Sequence, residues 1–204
     1  MSILSSSVSV TRYIVKGKLE KPVLEKIYNG LTQNSIKDID DDHPEKIVGW
    51  TSFENPYVPD FEGSSFVIGS YMVFSMRLDR KSIPSKVIQK HYAIEMARQL
   101  KESGRKYLSR NEKKSIKDHV IDVLSLRIPA TPNIYDLIWN VEESWLWFFS
   151  NLKAANEELE TLFLKSFNLS LIRLFPYTTA DLMSGLSDKD RDLLLNLSPT
   201  KFTE

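Results

Sequence analysis

Cysteine is absent from this 204-residue chain. That excludes disulfides, thiolate zinc sites and thiol nucleophiles. Histidine is nearly as scarce, with three copies. His91 and His119 lie in helical stretches with no second histidine one turn away, so they read as surface or boundary residues rather than metal ligands. No apolar run is long enough to cross a bilayer. The start, MSILSSSVSV, has neither a basic segment nor an apolar stretch, and no signal peptide is expected. There is no P-loop, no G-x-S-x-G and no dinucleotide fingerprint. These absences fit a cytoplasmic protein. They leave no catalytic residue, no metal and no cofactor to assign.

What is present looks at first ordinary. Apolar residues make up 42% of the chain and charged residues 26%, the balance of a soluble globular protein able to bury a core without staples. The net charge is zero, but it is unevenly spread. Residues 80–117 hold twelve Lys/Arg against three acids, Glu95, Glu102 and Glu112. The rest of the chain is correspondingly acidic. Such asymmetry points to a partner more directly than an overall isoelectric point does.

The chain alternates strand and helix signals. Residues 7–17 are rich in β-branched residues and end at Gly17, a strand pattern. Pro22 then opens a helix with Val23, Leu24, Ile27 and Leu31 at helical spacing. The segment 37–46 is a polar loop. KIVGW and the longer 64–78 stretch read as two strands, separated by a turn marked by Pro56, Pro59 and Gly63. Two helices follow, divided by Gly104 and closed by Pro129 and Pro132. Residues 133–150 form a hairpin turning near Glu142–Ser144. A helix follows with Leu159, Leu162, Phe163 and Phe167 on one side. LSLIRLFPY is a last strand, and Ser187 with Asp190 caps a short terminal helix. The pattern is α+β, with β-α-β-β and β-β-α-β halves and an inserted, projecting helical hairpin. It divides the chain into a core of 1–80 and 130–180, a basic tip of 81–129 and a tail of 181–204.

The inserted helices carry the most specific signals. In the first, Ile88, Tyr92, Met96 and Leu100 form an apolar face, with Lys90, Arg98, Lys101 and Arg105 opposite. In the second, Ser109 and Glu112 form a capping box. Ile116, Val120, Val123 and Leu124 make its apolar stripe, while Arg110, Lys114 and Lys117 flank it at i, i+4 and i+7, with Lys113 beside them. Solvated lysines on a surface hairpin are one reading. A surface for a polyanion is the other, and the scarcity of acids favours it: a merely soluble helix mixes signs and gains i, i+4 pairs.

Four stretches resemble the RdgC family of bacterial DNA-binding proteins: VGW at 48–50, IPSKVIQK at 83–90, LSRNEKKSIKDHVIDVL at 108–124 and LIWN at 137–140. The likeness runs over about residues 8–178. It implies a dimeric ring through whose positively lined hole duplex DNA passes without sequence preference, and a role in restraining recombinase filaments. It also implies that the helical pair is a projecting tip that meets its mate across the ring. "Exonuclease" is a label sometimes attached to the family. Members are typically longer, so this chain resembles a short form lacking the C-terminal third, which supplies the other ring contact. The basic-aromatic run that follows the second tip helix in the family is LRIPATPN here, with Arg127 its only basic residue.

The resulting expectation is a non-enzymatic, cytoplasmic, nucleoid-associated homodimer that binds mainly double-stranded DNA and serves recombination or replication control. Lys90, Arg98, Lys101, Arg105, Arg110, Lys113, Lys114 and Lys117 would neutralise phosphates. The alternatives are a metal-dependent nuclease and a protein-interaction module whose basic hairpin grips an acidic partner. For the nuclease, DIDDDHPE at 38–45 supplies acids, but it lacks the glycine and glutamate spacing of a calcium loop. WLWFF at 145–149 places Trp145, Trp147 and Phe149 on one strand face and Leu146 and Phe148 on the other. That reads as core on one side and core or subunit contact on the other, with stacking on single-stranded bases as the functional alternative.

Overall fold

The computed structural model describes residues 3–37, 45–183 and 185–198. Among the described residues seven strands form one antiparallel sheet: β1 (Thr11–Lys16), β2 (Lys46–Thr51), β3 (Val67–Ile68), β4 (Tyr71–Arg80), β5 (Thr131–Asn140), β6 (Trp145–Phe148) and β7 (Ser170–Arg173). Their order across the sheet is β2-β4-β5-β6-β1-β7, with β3 paired to the start of β4. Among the described residues six α-helices accompany them: α1 (Val23–Gln33), α2 (Ser85–Ser103), α3 (Arg110–Ser125), α4 (Lys153–Phe167), α5 (Pro176–Met183) and α6 (Asp188–Leu195). The architecture is the α+β arrangement that the sequence pattern implies.

Strand alternation gives the sheet two unlike faces. Tyr13, Trp50, Phe74, Met76, Leu137, Trp139, Leu146 and Phe148 point to the side covered by α1 and α4. These two helices contribute Ile27, Leu31, Leu159, Phe163 and Phe167. Trp50 meets Phe74 edge-on at 5.1 Å, and Trp139 meets Phe163 at 5.0 Å. The indole N–H of Trp50 donates to Ser166 Oγ at 2.7 Å, tying β2 to α4.

After α1 the chain runs beside β2. Ile36 N–H donates to Trp50 O at 2.8 Å, and Trp50 N–H donates to Asn34 O at 2.9 Å. Gly49 permits this approach. A Cβ built on it would stand 2.5 Å from the backbone nitrogen of Ile36.

α2 and α3 are inserted between two strands that are direct neighbours. β4 and β5 pair from Met72↔Trp139 to Arg80↔Thr131, and the helical excursion leaves from the end of that ladder. Leu108, Ile116, Val120 and Leu124 form a cluster of their own, packed by Ile83, Val87, Ile88, Tyr92, Met96 and Leu100. This second core is separate from the sheet core. Gly104, with φ of 65°, ends α2 in the left-handed conformation that glycine adopts without penalty. Ser109 and Glu112 complete the capping box at the start of α3.

Four sequence expectations are corrected. The 64–78 stretch is not one strand: Gly69, with φ of 63°, folds it into the β3–β4 hairpin. The last strand is only β7, because Pro176 opens a further helix, α5, at a point where the sequence shows no apolar period. Arg105 lies beyond the end of α2, in the connection to α3. Phe149 follows β6 and is buried, its N–H donating to Asp136 O at 3.0 Å, while Trp147 is 42% exposed. The acidic stretch 38–44 lies outside the described residues.

Candidate nucleic-acid interface

All eight cations singled out in the sequence are exposed. The three neighbouring acids are taken up by two of them. Arg98 lies 2.6 Å from Glu95 and 3.7 Å from Glu102, and Arg105 lies 3.0 Å from Glu112. The i, i+3 and i, i+4 spacings around Arg98 are legible in the sequence, so its pairing corrects the expectation that cations there face only cations. Lys90, Lys101, Arg110, Lys113, Lys114 and Lys117 make no ion pair with any described residue.

Glu112 does two jobs. Its carboxylate accepts the Ser109 N–H at 2.7 Å and the guanidinium of Arg105. The hydrogen bonds from Ser109, backbone first, hold its pKa below the ordinary glutamate value, and Arg105 adds to the effect. The acid is therefore committed to the helix start.

α3 is electrically two-sided. Arg110, Lys114 and Lys117 recur at i, i+4 and i+7 beside the buried stripe. Asp118 and Asp122 lie around a shallow depression with Asn111, Ser115 and His119, and Lys114 borders the same depression. Lys114 therefore stands at the boundary between the cationic side of this helix and its carboxylates. The structure also joins two residues that the sequence keeps apart. His91 on α2 and His119 on α3 border one groove of about 120 Å3, together with Ile94, Glu95 and Arg127. Only the packing angle of the two helices brings them together, and no spacing rule signals it. A larger recess, about 580 Å3, sits at the root of the tip and is bordered by Glu45, Lys81, His119, Asp122 and Leu126. Among the described residues no three His, Asp or Glu side chains cluster closely enough to hold a metal ion.

The sheet face away from α1 and α4 has two zones. In one, Ser75 Oγ donates to Asp136 Oδ1 at 2.7 Å, and the Ile3 N–H donates to the other carboxylate oxygen at 2.8 Å. Arg77 there is bound to Asp79 through two contacts, at 2.8 and 2.5 Å. In the other zone, Tyr71, Trp145 and Trp147 form a row of rings with centroid spacings of 5.7 and 5.1 Å.

A family model described as "Putative exonuclease, RdgC" matches residues 10–184. The match begins just before β1 and takes in the whole sheet, both tip helices and α5. No curated protein matches the chain.

Proposed function

This chain belongs to the RdgC family, and on that premise we propose that it binds DNA, mainly as duplex, without sequence preference, through the basic faces of its helical tip. The observation that carries this is the distribution of charge on α2 and α3. Every acid between residues 80 and 117 is consumed by Arg98 or Arg105, which leaves the other six of the eight named cations exposed and without an ion pair to a described residue. Like charges so placed repel one another, and a line of phosphates relieves that repulsion while releasing counterions. Lysines contact phosphates without reading bases, so affinity comes without sequence preference. Arg98 and Arg105 are secondary contacts here, because each must first leave a carboxylate.

On the same reading the protein is a nucleoid-associated homodimer serving recombination or replication. Among the described residues, no helix is long and apolar enough to cross a membrane. The test is a triple variant, Lys101→Ala, Lys114→Ala and Lys117→Ala, titrated with duplexes of unrelated sequence at several salt concentrations. Affinity should fall equally for all of them, and the slope of log affinity against log salt should shrink by roughly 0.9 for each phosphate no longer neutralised. Unchanged affinity and slope would leave the basic faces as solvated surface and sink the proposal. The word exonuclease in the family description supports a second reading, metal-dependent cleavage. Incubating DNA with the protein and magnesium or manganese tests it directly.

A further inference from the structure

The exposed rings on the open sheet face remain without a role after the tip is given one. Trp147 is 42% exposed and Tyr71 40%. Trp145 lies between them and is held in place: its indole N–H donates to Glu143 Oε2 at 2.6 Å. The same Glu143 is anchored by its own N–H to Asn140 Oδ1 at 2.9 Å. Trp147 ends the row, stacked at 33° on Trp145. Strand register sets Arg12 beside Trp147 on this face, and alternation puts Lys16 on the same side of β1. Both cations are exposed and make no ion pair with a described residue.

Two occupants suit such a face, and its charge separates them. A second copy docking symmetrically would press the patch against itself. It would double the cations in the contact, and of the two acids at this turn Glu143 is already engaged, which leaves one Glu142 per copy against two cations. A nucleic-acid strand supplies what the patch lacks, flat rings for the tryptophan and anionic phosphates for the cations. We propose that this face binds single-stranded nucleic acid, an unpaired base stacking on Trp147 with Arg12 and Lys16 contacting the adjoining phosphates. Bases inside a duplex are already stacked and do not present their faces, so this surface discriminates single from double strands where the tip does not. The proposal rests on the nucleic-acid reading of the chain but not on the tip residues.

The full chain is titrated with a single-stranded oligothymidylate and with a mixed-sequence duplex, following tryptophan fluorescence and anisotropy. Trp50 and Trp139 are 0% and 1% exposed, so quenching by the ligand reports Trp145 and Trp147. Trp147→Leu keeps the apolar surface and removes the π face. It should weaken single-strand binding roughly 5- to 100-fold and leave duplex affinity unchanged. Trp147→Phe, which retains a ring, should stay within a few-fold of the parent. The tip triple variant should lose duplex affinity yet keep the single-strand quench. The inference is overturned if the parent shows no quench with oligothymidylate, or if Trp147→Leu binds it as the parent does. It is also overturned if light scattering shows a dimer that Trp147→Glu splits into monomers. Loss of all binding in the parent, duplex included, would instead strike the nucleic-acid reading as a whole.

Discussion

The hydroxyl of Tyr13 on β1 donates to Oδ1 of Asn156 on α4 at 2.6 Å, with both residues buried. A second acceptor, Glu160 Oε1, lies 3.1 Å away and is itself bound by Arg173 of β7 at 2.8 Å. The Asn156 amide donates in turn to Leu152 O at 2.8 Å. This chain of polar contacts crosses the sheet–helix boundary inside the core, where a member left alone is costly.

Tyr13→Phe should therefore cost about 1–3 kcal/mol, because the buried Asn156 loses a donor it cannot replace from water. Burial, then the charge of Glu160, raises the Tyr13 pKa above its ordinary value near 10. A raised folded pKa gives stability that is complete below the unfolded value and lost as pH rises through the folded one. The parent should accordingly lose stability above about pH 10 more steeply than Tyr13→Phe does. Parallel alkaline unfolding curves for the two proteins would refute the coupling.

Gly49→Ala tests the contact between the α1 exit and β2. The added Cβ meets the Ile36 backbone at 2.5 Å, and a backbone flanked by two hydrogen bonds to Trp50 has nowhere to move. Destabilisation of about 1–3 kcal/mol follows, read as a lower urea midpoint. A midpoint within error of the parent would mean that the segment is free to shift.

Ile116→Ala should act locally. It removes a buried side chain from the tip cluster, worth about 2 kcal/mol or more, without touching the sheet core. Amide exchange across α2 and α3 should accelerate, while the unfolding midpoint read by the core tryptophans Trp50 and Trp139 holds. If both move together, the tip and the sheet unfold as one unit.

Ser109→Ala should cost about 1 kcal/mol of α3 stability by removing the cap. The cap is also pH-dependent. The folded pKa of Glu112 is lowered, so its contribution is complete above the ordinary glutamate range and disappears as pH falls through the folded value. Tip amide protection in the parent should drop on acidification below about pH 4, and Glu112→Gln should show a shallower drop. Identical pH profiles would remove the carboxylate from the account.

Those parts of the fold whose cause is local were legible in the sequence. Pro22, Gly104 and the Ser109–Glu112 box act within a few residues, and each marks the helix boundary that the structure shows. The face of α4 carrying Leu159, Leu162, Phe163 and Phe167 was equally readable, since a helical period survives in a one-dimensional string. Other features were hidden because their cause is a partner distant in sequence. Gly69 in an apolar run is indistinguishable from a strand glycine until β3 and β4 pair. α5 has no apolar period because none of its residues joins the core. The opposite fates of Trp147 and Phe149 are set by where β6 ends against Asp136. In the candidate site, the types and exposure of the cations were readable. That Arg105 would fold back onto Glu112 was not, because the turn at Gly104 decides it.

The placement of the tip has a kinetic consequence. β4 and β5 are adjacent in the sheet, yet Arg80 and Thr131, which close their ladder, are separated by the whole length of the helical excursion. Pairing them from an open coil would carry the loop-closure entropy of a long segment. Helical hairpins form from local contacts and so form early. Once Ile83 and Val87 pack onto the cluster of Leu108, Ile116, Val120 and Leu124, the two strand ends are delivered side by side, and the longest ladder of the sheet can zip from that point as if joined by a tight turn. Substitutions such as Ile116→Ala should therefore slow both refolding and unfolding of a sheet they never touch, which leaves its midpoint in place, and stopped-flow fluorescence of the buried tryptophans would record the delay.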